Sequence, residues 1–343
     1  MSRPGTARRV TGRIAALLVC ALGLYVVAPG LLTVFDAWPQ LGDVKPPWFV
    51  VVVVLEAASF ASLWVLLRIA LPGSSWLDIA AGQLAGNAAS RAIPGGAATG
   101  AVVQARMLVR SGHPPATVGA TLSATGLLTT GVLLALPVLT LPAVALGPPL
   151  ARQLEVGLLV SLVIAAVLVG VGLALLTWDS LVARVGLAAG MLVHLVRRGV
   201  DPPAVQRAVI AERDVVARAF RGRWLRALAA AAGNRMFDYA TLVAALLAVG
   251  AQARPTLVLV AYVASVALSL IPITPGGLGF VEAGLTSLLV LAGVTTDQAV
   301  VATLLYRLAS YWLPIPVGGL AWAGWRLRSG PVRFEPRAGG PDS

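Results

Sequence analysis

Six ionisable residues stand inside stretches that are otherwise almost wholly apolar: Glu56, Arg91, Arg235, Asp238, Glu282 and Arg307. A charge at the centre of a hydrocarbon layer costs at least about 2.5–3.5 kcal/mol, so such residues face a wet cavity, a ligand or one another. Two of them flank a repeated break in the chain. Arg91 precedes Pro94-Gly95-Gly96 and Glu282 follows Pro275-Gly276-Gly277, and each break is followed by a glycine 18 positions after its proline, Gly112 and Gly293. The parallel extends upstream, where Glu56 lies 38 residues before Pro94 and Asp238 lies 37 before Pro275. This is an internal duplication, and helix breaks at matching positions of two halves are the best sequence pointer to a membrane transporter's binding site.

The chemistry such a pattern offers is the holding of an anion. An arm that restarts as a helix after each break presents free N–H groups and the positive end of its dipole, and arginine supplies a planar fork suited to phosphate. Arg91, Gly95, Gly96, Gly276, Gly277 and Arg307 are therefore the candidate substrate-binding residues, and Glu56, Arg235, Asp238 and Glu282 the candidates for proton coupling or charge balance. Each has a structural alternative. Arg235 and Asp238 are spaced to pair on one helix face, Arg307 suits a charge partner for Glu282 or Asp238, and Ser59 and Ser62 lie where they could solvate Glu56. A Pro-Gly-Gly taken singly is also an ordinary interfacial loop.

Other chemistry finds no support. The two histidines, His113 and His194, are far apart in sequence, and one cysteine, Cys20, allows neither a disulfide framework nor a thiol-based metal site within one chain. No nucleophile elbow, Walker A loop or Cys-x-x-Cys is present, and Gly277-Leu-Gly279 lacks the third glycine of a dinucleotide fingerprint. The expectation is a protein without enzymatic activity, cofactor or metal.

The elements that must position these residues are membrane helices. Charged residues make up 12% of the chain, about half of what a soluble protein carries, and the runs 14–35, 48–71 and 156–177 can each cross roughly 30 Å of hydrocarbon. The first follows Arg3, Arg8, Arg9 and Arg13 and reads as a retained signal anchor. A net charge of +12 would suit nucleic acid, yet its distribution favours the anionic inner leaflet, because the basic residues flank the spans. Residues 178–226 hold nine arginines against four acids, and the remaining side carries Lys45, Arg152 and Arg254. The positive-inside rule then puts both termini and the central loop in the cytoplasm.

That constraint predicts an all-α polytopic membrane protein with about six spans and two re-entrant helical hairpins in inverted repeats. A first span, 14–35, precedes repeat A, 47–140, whose hairpin covers 77–112. A connecting span, 155–177, leads to a cytoplasmic amphipathic loop, 178–225, and repeat B follows over 226–322 with its hairpin at 256–292; the single membrane domain is 14–325, between basic tails 1–13 and 326–343. Gly82 and Gly86 form a small-residue face on the first hairpin arm, suited to close helix contact. The tryptophans at 38, 48, 76, 178, 224, 322 and 325 fall at expected interfaces, with Trp64 and Trp312 deeper. Full crossings by the hairpin arms are the rival topology. The loop reads as one or two interfacial helices or as a surface for a protein partner.

The segment from Ser269 to Glu282, with Gly293-Val294, Leu304-Leu-Tyr-Arg307 and Pro314, resembles the C-terminal signature of the lysylphosphatidylglycerol synthase transmembrane-region family, also called the flippase-like domain family. Ser90 to Gly96 and on through Arg106 to Gly112 resembles its first-half counterpart, and the likeness runs from about 14 to 325. The resemblance implies a lipid-translocating module of the plasma membrane, here without the soluble aminoacyl-transfer domain of bifunctional members. A lipid or lipid-linked precursor with a phosphate-bearing headgroup is thus the expected cargo. A secondary transporter of a small soluble solute, and an accessory subunit of a membrane glycosyltransferase or lipid-modifying enzyme, are the alternatives. Membrane lipids are the expected partners, with a second copy of the chain or such an enzyme as the protein partners compatible with the sequence.

Replacing Gly95-Gly96 or Gly276-Gly277 by Ala-Ala should reduce transport in proteoliposomes well below the fall in protein yield, because the N–H groups after the break lose their aim. Full transport by both double variants would identify the segments as plain loops.

Overall fold

The computed structural model describes residues 44–92, 96–140, 178–196, 199, 201–220, 222–269 and 279–328, with isolated helical positions between 152 and 170. The expected first span lies outside the described residues, as does most of the connecting span. Among the described residues every regular element is helical. In chain order they are α1 (Pro46–Ala70), α2 (Trp76–Ala92), α3 (Gly96–Arg110), α4 (Pro115–Ala135) with a 3₁₀ turn at Leu136–Thr140, α5 (Asp179–Val196), α6 (Pro202–Phe220), α7 (Trp224–Ala248), α8 (Pro255–Ser269), α9 (Phe280–Leu291), α10 (Thr296–Arg307), a π-helical turn at Leu308–Trp312, and α11 (Pro314–Arg328).

Three of these segments are long and apolar enough to cross a membrane, Pro46–Ala70, Pro115–Ala135 and the continuous Thr296–Arg328. α7 matches α1 in length at 25 residues, and Arg226, Arg235 and Asp238 are what lower its hydropathy. The arms α2 and α3 have 17 and 15 residues, about 26 and 23 Å at 1.5 Å per residue, which is short of a full hydrocarbon thickness.

The duplication read from the sequence recurs in the packing. In the first half α1 touches α2, α2 touches α3, α3 touches α4, and α4 returns to α1; the second half repeats the circuit with α7, α8, α9 and α10. The two halves meet along α1 and α7. Ser59 Oγ donates to the Asn234 carbonyl at 3.0 Å, Asn234 Nδ2 donates back to Ser59 Oγ at 2.9 Å, and Gly233 lies against Ser62. Leu66 packs with Ala227, Ala230 and Ala231 at the other end of the seam. Positions rise on one helix as they fall on the other, so the first helices of the two copies run antiparallel.

Small residues set the approach of the hairpin arms. A Cβ added at Gly86 would meet the Gly100 carbonyl oxygen at 2.8 Å, and one at Gly100 would run into Gly86 and Ser90, so both positions must stay bare. Gly82 carries less of this contact, with Leu108 at 3.8 Å. α11 packs against α2 in the same manner, because a Cβ on Gly318 would overlap the Leu84 carbonyl. The main core lies in the second half around Tyr262, Leu242, Leu285, Leu289 and Leu305, all fully buried.

Two expectations about the periphery need adjustment. Trp76, Trp178, Trp224 and Trp322 are exposed, and Trp76 and Trp322 stack under Arg68 and Arg326, as interfacial pairs should. Trp325 instead is buried among Ala81, Ala85 and Met107, because α11 leans on the first hairpin. The loop 178–225 forms two helices, α5 and α6, packed antiparallel with Gly186 facing Gln206 and Gly190 facing Pro202. Arg213 ties the pair by an ion pair to Asp179 of α5 and holds its α6 neighbour Asp214 as well, and α6 rests on α4 and α1.

Gly112 and Gly293 both hold left-handed φ, 98° and 95°, so cysteines for side-specific labelling belong on their neighbours Ser111 and Thr295. In a Cys20→Ala background the charge asymmetry expects Ser111→Cys to react from the cytoplasmic side and Thr295→Cys from the outer side with an impermeant maleimide. Reaction of both from one side would contradict opposed hairpins.

Candidate functional site

α2 carries Arg91 in its last turn, just before the chain breaks, and α10 carries Arg307 in its last turn. Both guanidinium groups reach the same ring. The Arg91 Cζ lies 4.8 Å and the Arg307 Cζ 4.2 Å from the centroid of Tyr311, and Arg91 Nη1 donates to the Tyr311 carbonyl at 2.6 Å. Tyr311 is aimed by the π-helical turn. Pro314 has no N–H and its ring crowds the carbonyl four residues back, and the ladder loosens there to an i→i+5 bond, Leu313 N–H to Leu308 C=O at 2.9 Å.

Arg307 also holds Glu282. Its Nε donates to Oε1 of that carboxylate at 2.7 Å, which realises one of the structural alternatives for Arg307. Glu282 sits in the first turn of α9, after Gly279 at φ 77°, where the helix dipole favours an acid. The second half-helix N-terminus therefore already has a carboxylate in its first turn, unlike the N-terminus of α3, which has none. Even so the cluster is incompletely satisfied. Arg307 Nη2, Glu282 Oε2 and the Tyr311 hydroxyl are buried and have no hydrogen-bond partner among the described residues. Arg307 alone binds Glu282, while the carboxylates that bear on Arg91 are Glu56 and Asp238.

The remaining acids gather separately. Glu56 on α1 lies against Asp238 and Thr241 of α7, so the matching acids of the two halves meet at the α1–α7 seam. Asp238 accepts two tyrosine hydroxyls, from Tyr262 of α8 at 2.7 Å and Tyr306 of α10 at 2.9 Å. Glu56 is 6% exposed, and its Oε2 has no hydrogen-bond partner among the described residues. Arg91 lies within electrostatic reach of both carboxyl groups. The site thus has a cationic half at Tyr311 and an acidic half at the seam.

Two structural alternatives fail on geometry and a third is met by one of its two partners. Arg235 does not pair with Asp238: its Nε donates to the Thr129 carbonyl at 3.2 Å, because the tyrosines occupy both Asp238 oxygens. Ser59 and Ser62 do not solvate Glu56, since their hydroxyls are spent on the Asn234 and Ala58 carbonyls. Arg307 has taken Glu282 and not Asp238 as its partner. Of the break residues, Gly96 opens α3 at φ 53°, a left-handed conformation that suits glycine; Gly95, Gly276 and Gly277 lie outside the described residues.

Sequence reasoning passed over the tyrosines. Tyr262, Tyr306 and Tyr311 organise both halves of the site, and their signal was available as polar aromatics inside apolar spans, two of them within four positions of Arg307. A buried tyrosine hydroxyl needs a partner, and the buried acids needed donors.

The fold and the buried charges define a polytopic helical membrane protein with a duplicated core. The lysylphosphatidylglycerol synthase TM region family matches residues 10–318, and the chain belongs to that family. It is similar to a UPF0104 membrane protein of Pyrococcus horikoshii, 40% identical over 63 residues that make up 18% of this chain and 19% of that protein. A UPF0104 membrane protein of Methanothermobacter thermautotrophicus is 34% identical over 89 residues, 26% of this chain and 25% of that one. The matched segments thus span between a fifth and a quarter of these relatives.

Removing the tyrosine donors should expose the cost of the seam. Tyr262→Phe and Tyr306→Phe each leave an Asp238 oxygen without a buried donor, a loss of about 1–3 kcal/mol, seen as a lower melting temperature of the detergent-purified protein. Unchanged melting in both would show that Asp238 does not depend on them.

Proposed function

We propose that the protein translocates a lipid, or a lipid-linked precursor, whose phosphate is held between Arg91 and Arg307 at the Tyr311 ring. The observation that carries this reading is the convergence of two arginines from opposite halves on one aromatic ring. An anionic group completes the hydrogen bonding of Arg307 Nη2 and the Tyr311 hydroxyl. The N-terminus of α3, five positions after Arg91 and with no acid in its first turn, adds N–H groups of the same preference. Membership of a family named for a lipid synthase's membrane region supports a lipid cargo over a soluble solute.

In this reading the short arms α2–α3 and α8–α9 are re-entrant hairpins entering from opposite faces of the plasma membrane, with both termini in the cytoplasm. The antiparallel α1 and α7 support that orientation, and the basic content of 178–226 supports its sidedness. The Glu56–Asp238 pair lies at the seam that must adjust when one half moves against the other. Its role is to hold a proton or to balance the arginines as the headgroup leaves.

Arg91→Gln and Arg307→Gln should each abolish movement of an acyl-labelled anionic phospholipid in proteoliposomes while leaving a monodisperse protein, and lysine should restore it in part. The competing reading is that Arg307 exists to neutralise Glu282. In that case Arg307→Gln combined with Glu282→Gln would recover both stability and transport, since no uncompensated charge remains. Recovery by that pair would remove Arg307 from the substrate site.

A further inference from the structure

The α1–α7 seam brings together the two acids that stand at matching positions of the duplication. Ser59 pairs with Asn234 between antiparallel helices, and the same register carried one turn further on each sets Glu56 against Asp238 and Thr241. Both oxygens of Asp238 accept tyrosine hydroxyls, from Tyr262 at 2.7 Å and Tyr306 at 2.9 Å, which is the pattern of an ionised carboxylate. Thr241 gives its hydroxyl proton to the Phe237 carbonyl at 2.9 Å, so toward Glu56 it offers lone pairs only. Glu56 itself is 6% exposed, and no donor reaches its Oε2 among the described residues.

An ionised Glu56 in that place would face acceptors and a second carboxylate, whereas the carboxylic acid has oxygens to donate to. The arrangement therefore calls for a proton on Glu56. The charged groups around it decide when that proton can leave. α4 has no charged residue, α6 meets α1 at the Leu66 cluster, ten residues along from Glu56, and Arg235 is turned to the Thr129 carbonyl. Tyr262 and Tyr306 come from α8 and α10 to Asp238, and the π-helical turn that touches α1 brings Tyr311. Arg91 of α2 is the cation within electrostatic reach of both acids, and it is drawn off to the Tyr311 carbonyl and ring. One guanidinium thus has two claimants. While an anion holds Arg91 at Tyr311, Glu56 keeps its proton; once the anion has left, Arg91 can answer an ionised Glu56 and the proton can go.

We propose that Glu56 is a proton-binding residue that takes up one proton for each anion held at Arg91, so that proton and anion cross the membrane in the same direction. The proposal rests on the arginine-site reading and adds to it the identity of the proton carrier, the stoichiometry and the sense of the coupling. Binding linkage is reciprocal, so the proton must strengthen anion binding by the same factor as the anion strengthens proton binding.

The test is calorimetric titration of the full detergent-purified chain with a short-chain phosphatidylglycerol, whose phosphodiester takes up no proton near neutral pH, in two buffers of different ionisation enthalpy. The expected result is uptake of about one proton per lipid bound, with an affinity that falls by up to about tenfold per pH unit as pH is raised from mildly acidic to mildly alkaline. Glu56→Gln, a neutral copy of the protonated acid, should bind the lipid without proton uptake and with an affinity that no longer changes with pH. A second measurement needs no variant: the infrared difference spectrum of the unmodified protein with and without lipid should gain the band of one protonated carboxyl group. Lipid binding with no proton uptake and no gain of that band, or uptake that persists in Glu56→Gln, would overturn the proposal and leave the arginine site standing. Loss of binding when sodium is replaced by choline at constant pH would also overturn it, by making sodium the coupled cation. Lipid binding unchanged in both Arg91→Gln and Arg307→Gln would remove the arginine site itself, and the coupling with it.

Discussion

Hydrocarbon offers no partner to a charge or to a free peptide group, and a chain that keeps six ionisable residues within apolar spans and breaks two of its helices must satisfy them from within. The response is a division by sign. Arg91 and Arg307 are placed on the faces of Tyr311 with Glu282 between the arms of the second half, while Glu56 and Asp238 meet at the α1–α7 seam under two tyrosine hydroxyls. If all six were paired acid to base, the interior would be electrically quiet and inert. Held in two groups, the charges put Arg91 and Arg307 at Tyr311 and Glu56 and Asp238 at the seam.

The backbone follows the same constraint. Bare glycines bring α2 within contact of α3 and α11 within contact of α2, so the first hairpin arm is held between two helices. The π-helical turn before Pro314 belongs to this economy, since a helix that cannot continue its ordinary ladder rotates Tyr311 to where both arginines reach it. Local irregularity and site geometry are one feature here.

Much of this was legible in the sequence because duplication leaves a record. The spacing of Pro94 and Pro275 to their following glycines, and of Glu56 and Asp238 to the prolines, announced matched halves, and the antiparallel seam brings those same two acids together. Hydropathy located α1, α4 and the α10–α11 segment. It undervalued α7, whose Arg226, Arg235 and Asp238 dilute an otherwise apolar helix. Pairings were harder to read, because which partner a buried charge takes depends on a third helix: Arg235 and Asp238 are correctly spaced along α7, yet Tyr262 and Tyr306 arrive from α8 and α10 and claim the carboxylate. Trp325 was misplaced for a related reason, since no local pattern says that α11 leans onto α2.

The central claim is that the two arginines at Tyr311 hold the phosphate of a lipid. The most direct measurement is an experimental density map of the protein in nanodiscs doped with an anionic phospholipid. Phosphate density between Arg91 and Arg307 is the predicted result. A closed Arg307–Glu282 pair with no density at Tyr311 and lipid ordered only on the outer surface of the bundle would contradict the account.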